Sequence, residues 1–199
     1  MTTIVAVQGK NFSVVSTDSR IADVDSEGNI FQVSTLREGA SKVSQNGKYL
    51  FGAAGDLRAI NLLNHAFKPP VVPSNVRGKN LDNFFTNKFI PSLRRCFEMN
   101  GYSTPDRPQT AEHGSVIMVS VIGNIYIVDH DYSWFSDSSG LYAIGTGAAY
   151  ALGVLHALKP EGEITIDQAK ELSVTALTMA SKFDPYTGPP YNSFVQPRK

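Results

Sequence analysis

The sequence predicts an α+β fold in which antiparallel hairpin sheets carry helices packed in layers. Three observations predict it. Short β-rich runs come in pairs across tight turns. The hydrophobic period then changes from two to that of a helix. The order of strands followed by two helices occurs twice before a terminal strand. The chain has 199 residues, enough to bury roughly 70% of its unfolded surface without staples, and one domain spanning 1–199 is expected.

The elements follow in order. Ile4–Val7 and Phe12–Thr17 flank a Gly9-Lys10-Asn11 turn and read as an N-terminal hairpin. Residues 21–40 are polar and read as a long loop. Lys42–Ser44 and Tyr49–Phe51 flank Asn46-Gly47, the signature of a second hairpin. Asp56 caps a helix carrying Ile60, Leu63 and Phe67, which the prolines at 69, 70 and 73 end. Asn80 caps a second helix, with a kink at Pro91 and a stop at Gly101. Residues 102–113 read as loop. Strands at 115–121 and 124–129 meet across Gly123-Asn124, and another short strand covers 141–144. A third helix runs from about Thr146 to before Lys159-Pro160. A fourth begins at Thr165, with Gln168 completing a capping box. One strand at 191–195 closes the chain.

Composition excludes several classes. Lysine plus arginine number 18 and so do aspartate plus glutamate, so no basic excess exists for nucleic acid or a membrane surface. Charged residues make up 18%, below the ~25% usual in soluble proteins, and the formal net charge of zero gives little colloidal protection, which favours an oligomer over a lone monomer. The single cysteine, Cys96, allows no intrachain disulfide and sits among apolar residues as a structural thiol. The first residues show no basic leader or long apolar run, so no signal peptide and a cytoplasmic location are expected.

Familiar cofactor sites fail on spacing. The four histidines form no metal-binding pair, and Asp129-His130-Asp131 at a strand end reads as a solvated turn rather than a ligand set. Gly145-Thr146-Gly147 opens like a dinucleotide site, but Tyr150 occupies the third glycine position. No cofactor and no metal is expected.

The N-terminus carries more. Thr2 permits removal of Met1, which would leave a threonine at the end of a β-strand. Its hydroxyl is a weak nucleophile, and its own α-amine, with a pKa of about 8, can serve as base. A cation with an acidic partner and an oxyanion donor must complete such a site. Thr2-Thr3-Ile4-Val5-Ala6-Val7 followed by Asp18-Ser19-Arg20 resembles the opening of a proteasome β-subunit or of the bacterial HslV peptidase. The resemblance continues in family order through Lys42-Val43, Ala53-Ala54-Gly55-Asp56, Gly145-Thr146-Gly147 and Asp184-Pro185-Tyr186-Thr187-Gly188.

That resemblance implies a four-layer αββα N-terminal-nucleophile hydrolase fold and a threonine endopeptidase. Thr2 is then the nucleophile, and Lys42, paired with Asp18, lowers the effective pKa of its hydroxyl. The Gly55 amide forms the oxyanion hole. Thr146, Asp184 and Thr187 surround the α-amine. Arg20, Ala22 and Ala53 line the substrate cleft. It further implies a homo-oligomeric ring acting on peptide or unfolded-protein substrates, and allows an ATPase unfoldase as partner. Two rival readings stand: a silent ring component with Met1 retained, and a small-molecule amidase. Thr146 and Thr187 stand where the family usually has serine, Ala22 where it often has threonine, and segments 21–41 and 68–80 are extended.

Overall fold

The computed structural model describes residues 2–74, 76–107 and 110–198, without the side chains of 104–111. Strands β1 (Thr3–Gln8) and β2 (Phe12–Thr17) form the first hairpin, β3 (Arg20–Val24) and β4 (Ile30–Thr35) the second, and β5 (Val43–Asn46) and β6 (Tyr49–Ala54) the third. Helices α1 (Leu57–His65), α2 (Lys79–Phe84) and α3 (Ile90–Met99) follow, with a π-helical turn (Phe85–Phe89) joining the last two. Then come β7 (Thr104–Arg107), β8 (Thr110–Glu112), β9 (Val116–Val121), β10 (Asn124–Val128), β11 (Trp134–Phe135) and β12 (Leu141–Gly145). Helices α4 (Ala148–Leu158) and α5 (Ile166–Phe183) precede β13 (Asn192–Pro197).

Two antiparallel sheets organise the molecule, in strand orders β12-β1-β2-β13 and β11-β10-β9-β6-β5. Their central strands β1, β2, β6, β9 and β10 are buried on both faces, so alternation sorts apolar side chains between two apolar environments. Along β1, Val5 and Val7 pack with α4 and α5 residues such as Ala151, Leu155 and Leu177, while Ile4 and Ala6 pack toward the other sheet. Along β6, Tyr49 and Phe51 pack with Leu63, Phe89 and Leu93 of the first helical group, while Leu50 and Ala54 meet Ile4 and Met118. Phe89 holds its core through rings: it stacks on Phe85 at 4.4 Å and Tyr49 at 5.4 Å, and meets Phe67 edge-on at 5.6 Å.

Local chemistry explains the elements. The Asp56 side chain accepts the Arg58 N–H at the start of α1, and Thr165 with Gln168 forms the reciprocal capping box of α5. Ile122 and Gly123 both have positive φ, 49° and 68°, as a two-residue primed turn requires. The burial of the Ile122 side chain offsets the strain of that backbone.

The structure differs from the sequence reading at several points. The expected loop over 21–40 contains the β3–β4 ribbon, and the expected loop over 102–113 contains the β7–β8 ribbon. Each is a two-stranded hairpin outside the main sheets. The second helix starts after Gly78 rather than Asn80, and the third at Ala148. The irregularity at Pro91 is the π-helical turn just before it. Proline lacks an N–H, and its ring would strike the carbonyl four residues back. The turn answers this by sending the Ile90 N–H to the Phe85 carbonyl, five residues back. β11, two residues long, carries no readable alternation.

Candidate active site

The site begins where the first strand begins. Thr2 is buried, and its carbonyl accepts the Thr146 N–H at 3.0 Å. Gly145 makes that approach possible: its φ is +97°, and a Cβ there would stand 1.7 Å from the Thr2 carbonyl oxygen. The end of β12 therefore closes directly onto the start of the chain.

One half of the site is a buried ion pair. Asp18, at the end of β2, is 0% exposed and Lys42, before β5, is 1% exposed. Lys42 Nζ donates to Asp18 Oδ1 at 2.8 Å and to the Arg20 carbonyl at 2.5 Å. The carboxylate also accepts three backbone N–H groups, from Thr3 at 3.0 Å, Arg20 at 3.0 Å and Gly188 at 3.2 Å. Burial pushes the Lys42 ammonium below its ordinary pKa, and the Asp18 carboxylate opposes that shift.

The other half is a hydroxyl–carboxylate cluster at the end of α5. Asp184 Oδ2 accepts the Thr146 hydroxyl at 2.7 Å and the Thr187 hydroxyl at 2.6 Å. Thr187 Oγ1 lies 2.5 Å from Thr3 Oγ1, which also accepts the Gly147 N–H at 3.1 Å. A Cβ at Gly147 would fall 2.4 Å from Thr3 Oγ1 and 3.0 Å from both Asp184 and Thr187, so glycine alone permits this convergence.

The residues expected to line a cleft are placed differently from one another. The Arg20 guanidinium donates to the Pro185 carbonyl at 2.9 Å and lies against Gly188, where a Cβ would be 2.4 Å from Nε; it braces the 184–188 turn. Ala22 sits half-buried on β3 opposite Val33. Ala53 is buried in the helix-side core, because alternation along β6 turns it away from the inter-sheet face. A cavity of about 490 Å³ opens beside Lys42, walled by Leu36, Ala40, Ser44, Leu57, Ile60 and Phe194. Gly55 is exposed just past β6 with φ +131°, backed by the Gly114 carbonyl and the Ser115 hydroxyl. Met1 lies outside the described residues.

Sequence reasoning placed Thr3, Gly147 and Gly188 within its motifs but gave them no role in the site. Thr3 was hidden because its neighbour Thr2 has the same side chain; its place as first residue of a buried strand was the available signal. Among the described residues, no group of three acidic, histidine or cysteine side chains could hold a metal ion, and no helix is long and apolar enough to cross a membrane. Asp129 and Asp131 accept the backbone N–H groups of His130 and Ser133 in a local turn.

Among solved structures, the chain is similar to Thiobacillus denitrificans BPH in complex with epoxomicin. The match has 16% identity over 99% of both chains and a TM-score of 0.74. Thiobacillus denitrificans BPH in a second structure matches at 16% identity over 99% of this chain and 98% of that one, with a TM-score of 0.68. Eukaryotic HslV from Trypanosoma brucei matches at 18% identity over 97% of this chain and 98% of that one, with a TM-score of 0.62. No protein-family model matches the chain, and no curated protein does. The chain has the HslV-like, mixed α/β fold of these structures along nearly its whole length.

Proposed function

We propose that this chain is a threonine-type peptidase subunit that cleaves peptide bonds with the Thr2 hydroxyl once the residue before it is removed. One observation carries the reading. The Asp18–Lys42 pair and the Thr146–Asp184–Thr187 cluster, far apart in sequence, both meet the start of β1, through the Thr3 amide on one side and the Thr3 hydroxyl and Thr2 carbonyl on the other. In this reading the two sheets and their helices stack as an αββα sandwich in four layers.

The reaction proceeds as follows. The freed α-amine of Thr2 takes the hydroxyl proton as the oxygen attacks the substrate carbonyl carbon. Lys42, kept oriented by Asp18, offsets the negative charge that develops on the attacking oxygen. The Gly55 amide donates to the tetrahedral oxyanion. The amide C–N bond then breaks, and the leaving amine departs with the proton from the α-ammonium. A water molecule, deprotonated by the same amine, hydrolyses the Thr2 ester, releases the acid and regenerates the hydroxyl. Thr146, Asp184 and Thr187 hold that amine. Arg20 and Ala22 border the cleft, where an extended peptide adds by backbone hydrogen bonds. A ring of copies restricting access to protein substrates, in the cytoplasm, is the setting we assign, and it leaves room for an ATPase unfoldase as partner.

The test is Thr2→Ala assayed on a fluorogenic peptide amide, with intact-mass analysis of native protein with and without epoxomicin. Activity falling at least about 10³-fold in the variant, with one covalent adduct on the wild type only, is expected. Activity that persists in Thr2→Ala overturns the assignment. A retained Met1 in inactive native protein points instead to a silent ring component.

A further inference from the structure

Thr3 joins the two halves of the site at the start of β1 through both its amide and its hydroxyl. Thr3 is 0% exposed and is the first residue of β1. Its N–H donates to Asp18 Oδ1, the same oxygen that Lys42 Nζ approaches. Its hydroxyl meets Thr187 and the Gly147 N–H. The direction of each hydrogen bond is determined. The Thr187 hydroxyl donates to Asp184 Oδ2, so its one proton is spent there. The Thr3 hydroxyl must therefore be the donor in the Thr3–Thr187 contact. The Gly147 N–H can only donate, and it fills an acceptor site on Thr3. The result is a single chain: Gly147 N–H to Thr3, Thr3 to Thr187, Thr187 to Asp184. Each link polarises the next, so the chain is stronger than its separate bonds.

We propose that Thr3 is a positioning residue: its hydroxyl fixes the Thr187–Asp184 pair in the orientation that holds the Thr2 amine, while its amide ties the same backbone to the Asp18–Lys42 pair. This rests on the reading of Thr2 as nucleophile. Thr3 touches no substrate in that role. It sets the angle between the base and the cation, and misplacement on the scale of an ångström costs about 100-fold in rate.

The experiment compares wild type, Thr2→Ala, Thr3→Val and Thr3→Ser, measuring kcat and KM for a peptide amide across pH. Thr3→Val keeps the shape and removes the hydroxyl. It should lower kcat about 10- to 100-fold with KM within about twofold. With Thr187 free to rotate off Asp184, the carboxylate charge is less neutralised and holds the α-ammonium protonated to higher pH. The acid limb of kcat/KM should move up by about half a pH unit. Thr3→Ser should restore both. The proposal is overturned if Thr3→Val keeps the wild-type kcat and pH profile, or if Thr3→Ser loses as much as Thr3→Val. Thr3→Ala, which adds no atoms, is read the same way should the valine variant fail to fold. Equal activity of wild type and Thr2→Ala would instead sink the nucleophile assignment on which the proposal stands.

Discussion

His113 should make this protein acid-labile, and the effect is separable from catalysis. Its ring is 4% exposed, packed edge-on against Tyr132 at 4.7 Å and Phe97 at 5.4 Å, and neither ring nitrogen has a hydrogen-bond partner among the described residues. Burial foremost, then the neighbouring His130, push its pKa from 6.5 down to about 4, against a weaker pull from Asp129 and Asp131. The unfolded chain therefore binds a proton below pH 6.5 that the folded chain refuses until near pH 4. Stability from this residue is intact above the unfolded pKa and lost as pH falls toward the folded one. Between pH 7 and pH 5 the loss is about 2 kcal/mol, reaching about 3 kcal/mol at pH 4. His113→Phe keeps an aromatic ring in the cluster and the backbone bond from the His113 N–H to the His130 carbonyl, and removes the titration. Urea unfolding followed by Trp134 fluorescence, at pH 7 and pH 5, measures the difference. The variant should lose about 2 kcal/mol less than wild type over that interval. Equal losses in the two proteins would show that His113 is not held neutral by burial, and the reasoning fails.

Two further substitutions test the scaffold of the site. Lys42→Met leaves Asp18 buried with its three backbone donors but without its counter-ion. We expect about 3 kcal/mol of destabilisation by denaturant titration, with peptidase activity abolished; a fully active variant would remove Lys42 from the mechanism. Gly145→Ala places a methyl group on the Thr2 carbonyl and forces alanine to φ +97°, so a loss of at least about 3 kcal/mol is expected. An unchanged unfolding midpoint would mean that β12 does not close on Thr2 as described.

Much of the fold was legible because its elements announce themselves locally. Asn46-Gly47, the Asp56 cap and the Thr165–Gln168 box each act through a backbone group within a few residues. The ribbons were not legible for the opposite reason. β3 and β4 turn at the polar stretch 25–29 and leave Phe31 and Val33 exposed, so no buried face enforces the alternation by which strands are read. The π-helical turn was legible only as trouble at Pro91; which repair the helix would use depends on Phe85 and Phe89 finding aromatic partners far away in sequence. In the site, residue types and their order pointed to Asp18, Lys42, Thr146, Asp184 and Thr187. Thr3 was passed over because its hydroxyl contacts residues more than a hundred positions away. Ala53 shows the converse: its position in the sequence was read, but the facing of its side chain depends on strand register, which a motif does not carry.

The pairing of β1 with β12, and of β2 with β13, has a consequence for the nascent chain. The first seventeen residues supply the two central strands of one sheet, and the last sixty supply both strands that flank them. Loop closure across such separations is slow and comes late in folding. The ion pair around Asp18 and Lys42 can form early, from residues close in sequence. The hydroxyl–carboxylate cluster exists only after Asp184 and Thr187 have been synthesised and docked. A chain still on the ribosome thus carries one half of the site and lacks the other, so whatever chemistry the complete site performs is withheld until Asp184 and Thr187 have emerged and docked.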